Sequence, residues 1–176
     1  MRGASPFKAF RLRFPWLLAT IGSGLIGALL AGHFEATLER AIILSFFLAL
    51  VLALSEAVSI QSMTLTLQAL RASQPTWRWF WKNVRRELAE AVLIGLGCGV
   101  VVFVVAWLWR GTALGAEVIG ATVVGGTIIA CFSGLLVPSV LHALKLDPKI
   151  AAGPITLALA DVLTLTLYFS LGTWLL

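Results

Sequence analysis

Charge is scarce in this chain: 12% of its 176 residues are Asp, Glu, Lys or Arg, against 60% that are hydrophobic. A water-soluble domain of this length could not cover its surface with so few polar groups, and a mean hydropathy of +0.99 points to an integral membrane protein. Cysteine is limited to Cys98 and Cys131, both inside apolar runs and in no CxxC pair. That leaves no thiolate zinc motif and no disulfide framework, and both read as small packing residues. Histidine is limited to His33 and His142, one near the outer end of the first apolar run and one near the inner end of the fourth. They are too far apart to share a metal and read as polar residues at the membrane boundary. Glycine-rich phosphate loops, HExxH pairs and Ser/His/Asp arrangements are also missing. An enzyme is therefore not expected.

What the chain has in quantity is long apolar runs. A helix of about 20 residues crosses a hydrocarbon core about 30 Å thick. Trp16 to Gly32 follows a basic segment without a convincing small-residue cleavage site, so it reads as a retained first span. The others are Ala41 to Leu70, interrupted only by Glu56, then Ala91 to Trp109, Val118 to Leu144 and Ala151 to Leu176. Pro138 is expected to kink or stop the fourth span. The predicted organisation is a cytoplasmic segment over residues 1–14 and an all-α transmembrane domain over residues 15–176, with five spans at about 16–32, 41–70, 91–109, 118–144 and 151–176.

Cationic residues set the orientation. Arg2, Lys8, Arg11 and Arg13 precede the first span, Arg71, Arg78, Lys82, Arg85 and Arg86 follow the second, and Lys145 and Lys149 follow the fourth. Eleven of the thirteen Lys and Arg thus share a side, leaving Arg40 and Arg110 opposite. The bias predicts a cytoplasmic N-terminus and, after five spans, an outer C-terminus, in a membrane of the bacterial inner type. Residues 75–90 contain Trp77, Trp79 and Trp81 interleaved with Arg78, Lys82, Arg85 and Arg86. This predicts an amphipathic segment lying on anionic lipid at the cytoplasmic face. Aromatics alternating with cations also suit single-stranded nucleic acid, but flanking spans favour the bilayer, and no nucleic-acid partner is expected.

Against this apolar background, two carboxylates stand out. Asp161 is the only formally charged residue between Ile150 and Leu176. An Asp at a helix centre costs about 2.5–3.5 kcal/mol even on insertion scales, so it is expected to face a bundle interior or a water-filled path. Pro154, Leu157, Ala158, Asp161, Thr164, Leu165 and Tyr168 share its helix face. Glu56 lies beside a stripe formed by Ser55, Ser59, Ser62 and Thr66, and Gln61 and Gln68 add amides to the same span. Carboxylates, hydroxyls and a carbonyl loosened by Pro154 are oxygen ligands of the kind hard cations prefer. The plainer alternative is a protonated carboxyl hydrogen-bonded between helices, with hydroxyls bonded to their own backbone. Gly22, Gly24, Gly27, Gly95, Gly99, Gly120, Gly125 and Gly126 offer close-packing surfaces. Five helices leave little room for a pore in one chain, so a pore shared across a homodimer is the economical arrangement.

The run from Leu136 to Phe169, LVPSVLHALKLDPKIAAGPITLALADVLTLTLYF, with its LVP, LDP, AAGP and DV elements, resembles the end of the transmembrane domain of the MgtE magnesium transporter family. The segment RFPWLLATIGSGLIGALLAGHFEATLERAIILSFFLALVLALS is similar to that family's first helix and the start of its second. The resemblance covers residues 11 to 176. It implies a homodimer with a central ion path in which Asp161, at the family's aspartate position in the last helix, meets hydrated magnesium. The family's second-helix pattern P-x5-GGNxGxQ is met here by Ser55, Glu56, Ala57, Ser59 and Gln61, which keep the glutamine and the small character of two positions. Glu56 in place of a glycine and Ala57 in place of the asparagine add charge and remove an amide.

The resemblance thus implies a divalent cation channel or transporter with magnesium as the transported ion and no organic cofactor. Asp161 and Glu56 are the expected metal residues, and Ser55, Ser59, Gln61, Ser62 and Thr164 the expected pore lining. The family's cytosolic N-terminal and CBS domains have no counterpart in the residues before Arg11, so gating by a separately encoded cytosolic partner docked on the Trp77 to Arg86 segment is a further expectation. Two alternatives stay open at this point. One is a non-transporting membrane subunit that assembles with a partner. The other is a proton-coupled transporter of another cation.

Overall fold

A computed structural model describes residues 6–72, 77–111, 113–145 and 148–176. It contains six helices and, among the described residues, no strand: α1 (Pro6–His33), α2 (Glu35–Arg40), α3 (Ile42–Ala72), α4 (Trp77–Arg110), α5 (Ala113–Ala143) and α6 (Pro148–Leu175). Five of them contain stretches long and apolar enough to cross a membrane: Phe14–His33, Ile42–Arg71, Val84–Trp109, Ala113–Ala143 and Ala151–Leu175. With backbone polar groups satisfied within each helix, such segments can lie in hydrocarbon. This is an all-α integral membrane protein with five transmembrane helices.

The sequence reading did not anticipate α2, a short helix that turns the chain between the first two spans. Phe34 and Ala41 bracket it, and Thr37 Oγ1 hydrogen-bonds Thr173 Oγ1 at 2.9 Å, fastening it to the last turn of α6. Two further boundaries differ from the sequence reading. Pro138 is buried within α5, which runs past it to Ala143 and starts five residues earlier than predicted. The segment expected to lie separately on the bilayer is continuous with the third span, because α4 runs unbroken from Trp77 to Arg110. At 1.5 Å per residue a helix of 34 residues is about 50 Å long, more than one hydrocarbon core of about 30 Å requires.

The bundle is organised around α5, which packs against α3, α4 and α6. Its sequence explains that position: glycine, alanine, serine and threonine recur along it and bring neighbouring backbones close. A Cβ built on Gly99 of α4 would lie 2.9 Å from the carbonyl oxygen of Gly120 on α5, and one on Gly120 would lie 3.1 Å from that of Gly99. On another side, a Cβ on Gly134 would meet the Ser59 carbonyl of α3 at 2.6 Å. Towards α6, a Cβ on Gly126 would meet the Thr164 methyl at 3.1 Å. The α4–α5 link is short because Gly111 takes φ +69°, and its N–H closes on the Trp107 carbonyl at 2.8 Å.

Apolar packing falls into separate clusters. One, at the end carrying α2, gathers Leu44, Phe47, Val51, Ile119, Val123, Tyr168 and Phe169, with the Tyr168 hydroxyl donating to the Leu44 carbonyl at 2.8 Å. Two others lie towards the opposite end, around Val58, Ala130, Cys131 and Ala160 and around Val137, Leu141, Ala151 and Ala152. Ser55 on α3 and Thr164 on α6, both buried polar residues, fall in sequence between the members that these helices contribute to the first and second clusters.

Candidate ion site

The site is built where α3 and α6 run antiparallel beside α5. Ser55 of α3 and Thr164 of α6 share a hydrogen bond at 2.8 Å, and the Ser55 hydroxyl also reaches the Gly126 carbonyl of α5 at 3.4 Å. Both side chains are fully buried. This junction fixes the register. Three residues from Thr164 is Asp161, and one residue from Ser55 is Glu56, so the two carboxylate-bearing positions differ by about 3 Å along the bundle axis. Glu56 lies close enough to act on Asp161 electrostatically. Each is partly exposed.

Two features separate these groups from ordinary helix hydroxyls. Half of the buried Ser and Thr hydroxyls close on their own helices: Ser23 donates to the Thr20 carbonyl, Thr66 to Ser62, Thr122 to Val118, Thr127 to Val124 and Ser133 to Ile129. That is the local satisfaction expected of Ser and Thr in an apolar helix. Ser59 Oγ, Thr156 Oγ1 and Asp161 Oδ1 are buried without a hydrogen-bond partner. Leaving such a group unsatisfied costs about 1–3 kcal/mol, and more when it is charged.

Asp161 borders a seam between helices. The α1 backbone approaches α6 and α2 but, among the described residues, not α3, α4 or α5. On α6, Leu165 meets α1 at Gly27, and Thr164 meets α3 at Ser55. At 100° per residue, Asp161 projects between those two directions, into the gap separating α1 from α3. Glu56 lies 100° round α3 from Ser55. Ser59, between the two in angle and one turn along, is fully buried.

The remaining candidates divide. Ser62 is buried, but its Cβ lies 2.9 Å from where a Gly134 Cβ would be, so it packs at the α3–α5 crossing. Gln61 is exposed, about 200° round α3 from Ser59, and within one chain the structure does not bring it to Asp161. Sequence reasoning missed Thr156, which lies about 140° round α6 from Asp161 and so outside the face that carries the carboxylate. Its signal was only a hydroxyl in an apolar helix. On α4, Trp81, Arg85 and Arg86 are exposed, and Arg86 Nε pairs with Glu90 at 3.1 Å. The side chains of Trp77, Arg78, Trp79 and Lys82 lie outside the described ones, as do residues 1–5 and 73–76.

Nowhere among the described residues do three His, Cys, Asp or Glu side chains converge as a metal cage. The site offers oxygen atoms alone: two carboxylates and a hydroxyl. This is the donor chemistry of hard divalent cations and does not favour copper or zinc.

Residues 48–171 match the family model of MgtE, described as a divalent cation transporter. The magnesium transporter MgtE of Bacillus subtilis is 32% identical over 161 residues, covering 92% of this chain and 36% of that protein. Those of Enterococcus faecalis and Thermus thermophilus are 25% and 27% identical over 96% and 98% of the chain. The chain spans little more than a third of the length of these relatives, 36–38% in each case. The matched region takes in α4 and α5 and most of α3 and α6, and so Glu56, Ser59 and Asp161, and with this coverage the chain belongs to the MgtE family.

Proposed function

We propose that this protein conducts divalent cations, magnesium among them, across the membrane along the seam between α3 and α6, with Asp161 as the principal ion ligand. The observation that carries the reading is the buried, unpartnered Oδ1 of Asp161, on a carboxylate that no cation or hydroxyl of the described chain satisfies. A hydrated divalent ion supplies what that oxygen lacks. Magnesium dehydrates reluctantly and is held through one or two carboxylates with its waters retained, which suits a partly open seam. The names of the relatives, all magnesium transporters, support the same cargo. The role is transport, with no catalytic step.

The gap between α1 and α3 leaves Asp161 and Glu56 incompletely enclosed, which fits a path closed by a second copy of the chain about a two-fold axis. The cation bias supports an orientation with the N-terminus on the cytoplasmic side of a bacterial inner membrane. Inward movement then follows the membrane potential, worth about 2.3 kcal/mol per charge per 100 mV. The basic start of α4 would rest on anionic lipid, with Arg85 and Arg86 exposed there, and offers a surface to a cytosolic regulatory partner.

Reconstituted liposomes test the reading. Asp161→Ala is expected to lower magnesium influx at least tenfold and Glu56→Gln to change it several-fold. Undiminished uptake by both variants would sink the assignment.

A further inference from the structure

The seam holds more direct oxygen donors than a fully hydrated ion needs. The Ser55–Thr164 bond at 2.8 Å locks α3 against α6 in one register, and that register brings Glu56 and Asp161 to nearly the same level. Ser59 lies one turn along α3 from both Ser55 and Glu56, fully buried, and its hydroxyl bonds neither to its own helix nor to the carboxylate across the seam. A hydroxyl and a carboxylate oxygen at one level, each without a partner, are two open ligand positions beside a third, Glu56. Hydroxyls such as those of Thr66, Thr122 and Ser133 turn back to their own carbonyls, whereas Ser59, at the level of Asp161, and Thr156, on another face of α6, stay open.

We propose that Glu56 and Ser59 convert this seam into a site that contacts its cation directly, and that it therefore binds calcium in preference to magnesium. The inference rests on the reading of the seam as an ion path. Magnesium demands near-octahedral geometry at about 2.0–2.1 Å and keeps its waters. Calcium accepts six to eight oxygens at about 2.3–2.6 Å in irregular arrangements, and it gains most from added carboxylate and hydroxyl ligands on separate helices. Tight direct binding also slows release, and conduction requires an ion to leave. Calcium is therefore a competitive blocker of magnesium flux, and Glu56 sets its potency.

The test uses the purified full chain. Manganese, paramagnetic and of intermediate size, is bound and followed by its electron paramagnetic resonance signal while calcium, magnesium or hexaamminecobalt(III), an inert analogue of a hydrated ion, is added. Wild-type protein is expected to release manganese to calcium at a concentration at least fivefold lower than to magnesium, and to resist hexaamminecobalt. Glu56→Gln should narrow the calcium-to-magnesium ratio at least fivefold and admit hexaamminecobalt as a competitor. Ser59→Ala, which removes only an unpartnered hydroxyl, should weaken calcium binding several-fold without lowering the melting temperature. Equal displacement by calcium and magnesium in the wild type would overturn the proposal, as would an unchanged ratio in Glu56→Gln or failure of manganese to bind. If magnesium influx persists and still depends on Asp161 while the ratio does not move, the preference fails and the ion path stands. If neither binding nor influx is found, both fall.

Discussion

At the scale of single residues, the informative distinction is between hydroxyls that satisfy themselves and those that do not. Thr122, Thr127 and Ser133 close on their own helices and need nothing further. Ser59 and Thr156 do not. Spacing alone cannot make this division, because the return bond to the preceding turn depends on a rotamer that packing selects. The Ser55, Ser59, Ser62 and Thr66 stripe was legible from its three-and-four spacing, and all four are buried. Gln61 was placed with them by motif, yet helical geometry puts it on the outer face of α3. Thr156 provides a check on the cost of an orphan hydroxyl. Thr156→Val keeps the shape and removes the unpartnered oxygen, so it should leave stability unchanged or raise it by up to about 1 kcal/mol in reversible unfolding. A loss of more than that amount would mean the hydroxyl has a partner in the membrane.

Among elements, the glycines of α4 and α5 show how the bundle is held where no hydrophobic effect draws helices together. At Gly99 and Gly120 each residue's missing side chain is the space occupied by the other's backbone. Gly99→Val should therefore destabilise the protein by about 1–3 kcal/mol, as overpacking against an unyielding carbonyl does. Gly22→Ala in α1, where an added Cβ meets nothing within 4 Å, should fall within about 0.5 kcal/mol of wild type. Thermal unfolding in one detergent checks both, and similar losses in the two would remove the assigned crossing. The GxxxG spacing of Gly95 and Gly99 was visible in the sequence. Its partner helix was not, because any small-residue surface could have answered it. The continuity of α4 was also hidden: the change from basic and aromatic to apolar composition near Ala91 marks a change of surroundings, and the helix passes through it.

For the whole molecule, the five spans were legible because twenty apolar residues admit few other structures, whereas the way they assemble was not. The arrangement that matters, α5 among three neighbours with α1 attached to the outside of α6, depends on which small residues meet, and hydropathy does not encode that. Orientation is open to a direct measurement. With Cys98 and Cys131 replaced by serine, a cysteine at Gly111 should react with an impermeant maleimide added outside intact cells. One at Lys145 should react only after permeabilisation. The reverse pattern would invert the topology and with it the direction assigned to ion flow.

The attachment of α1 to α6 also bears on how the molecule is made. In sequence α1 lies ahead of every other helix, and the surface it packs on belongs to the last. More than a hundred residues separate His33 from Pro148. At about 5–20 residues per second of synthesis, α1 waits on the order of ten seconds before its partner exists. During that interval α3, α4 and α5 can close on one another without it, and α1 must persist as a lone helix in lipid with Gly27 and Ser23 uncovered. Its long apolar face, little of which is buried in the finished bundle, makes that wait tolerable. The arrival of α6 then completes two things at once: it captures the first helix, and it brings Asp161 to the seam, so the proposed ion path does not exist in an unfinished chain.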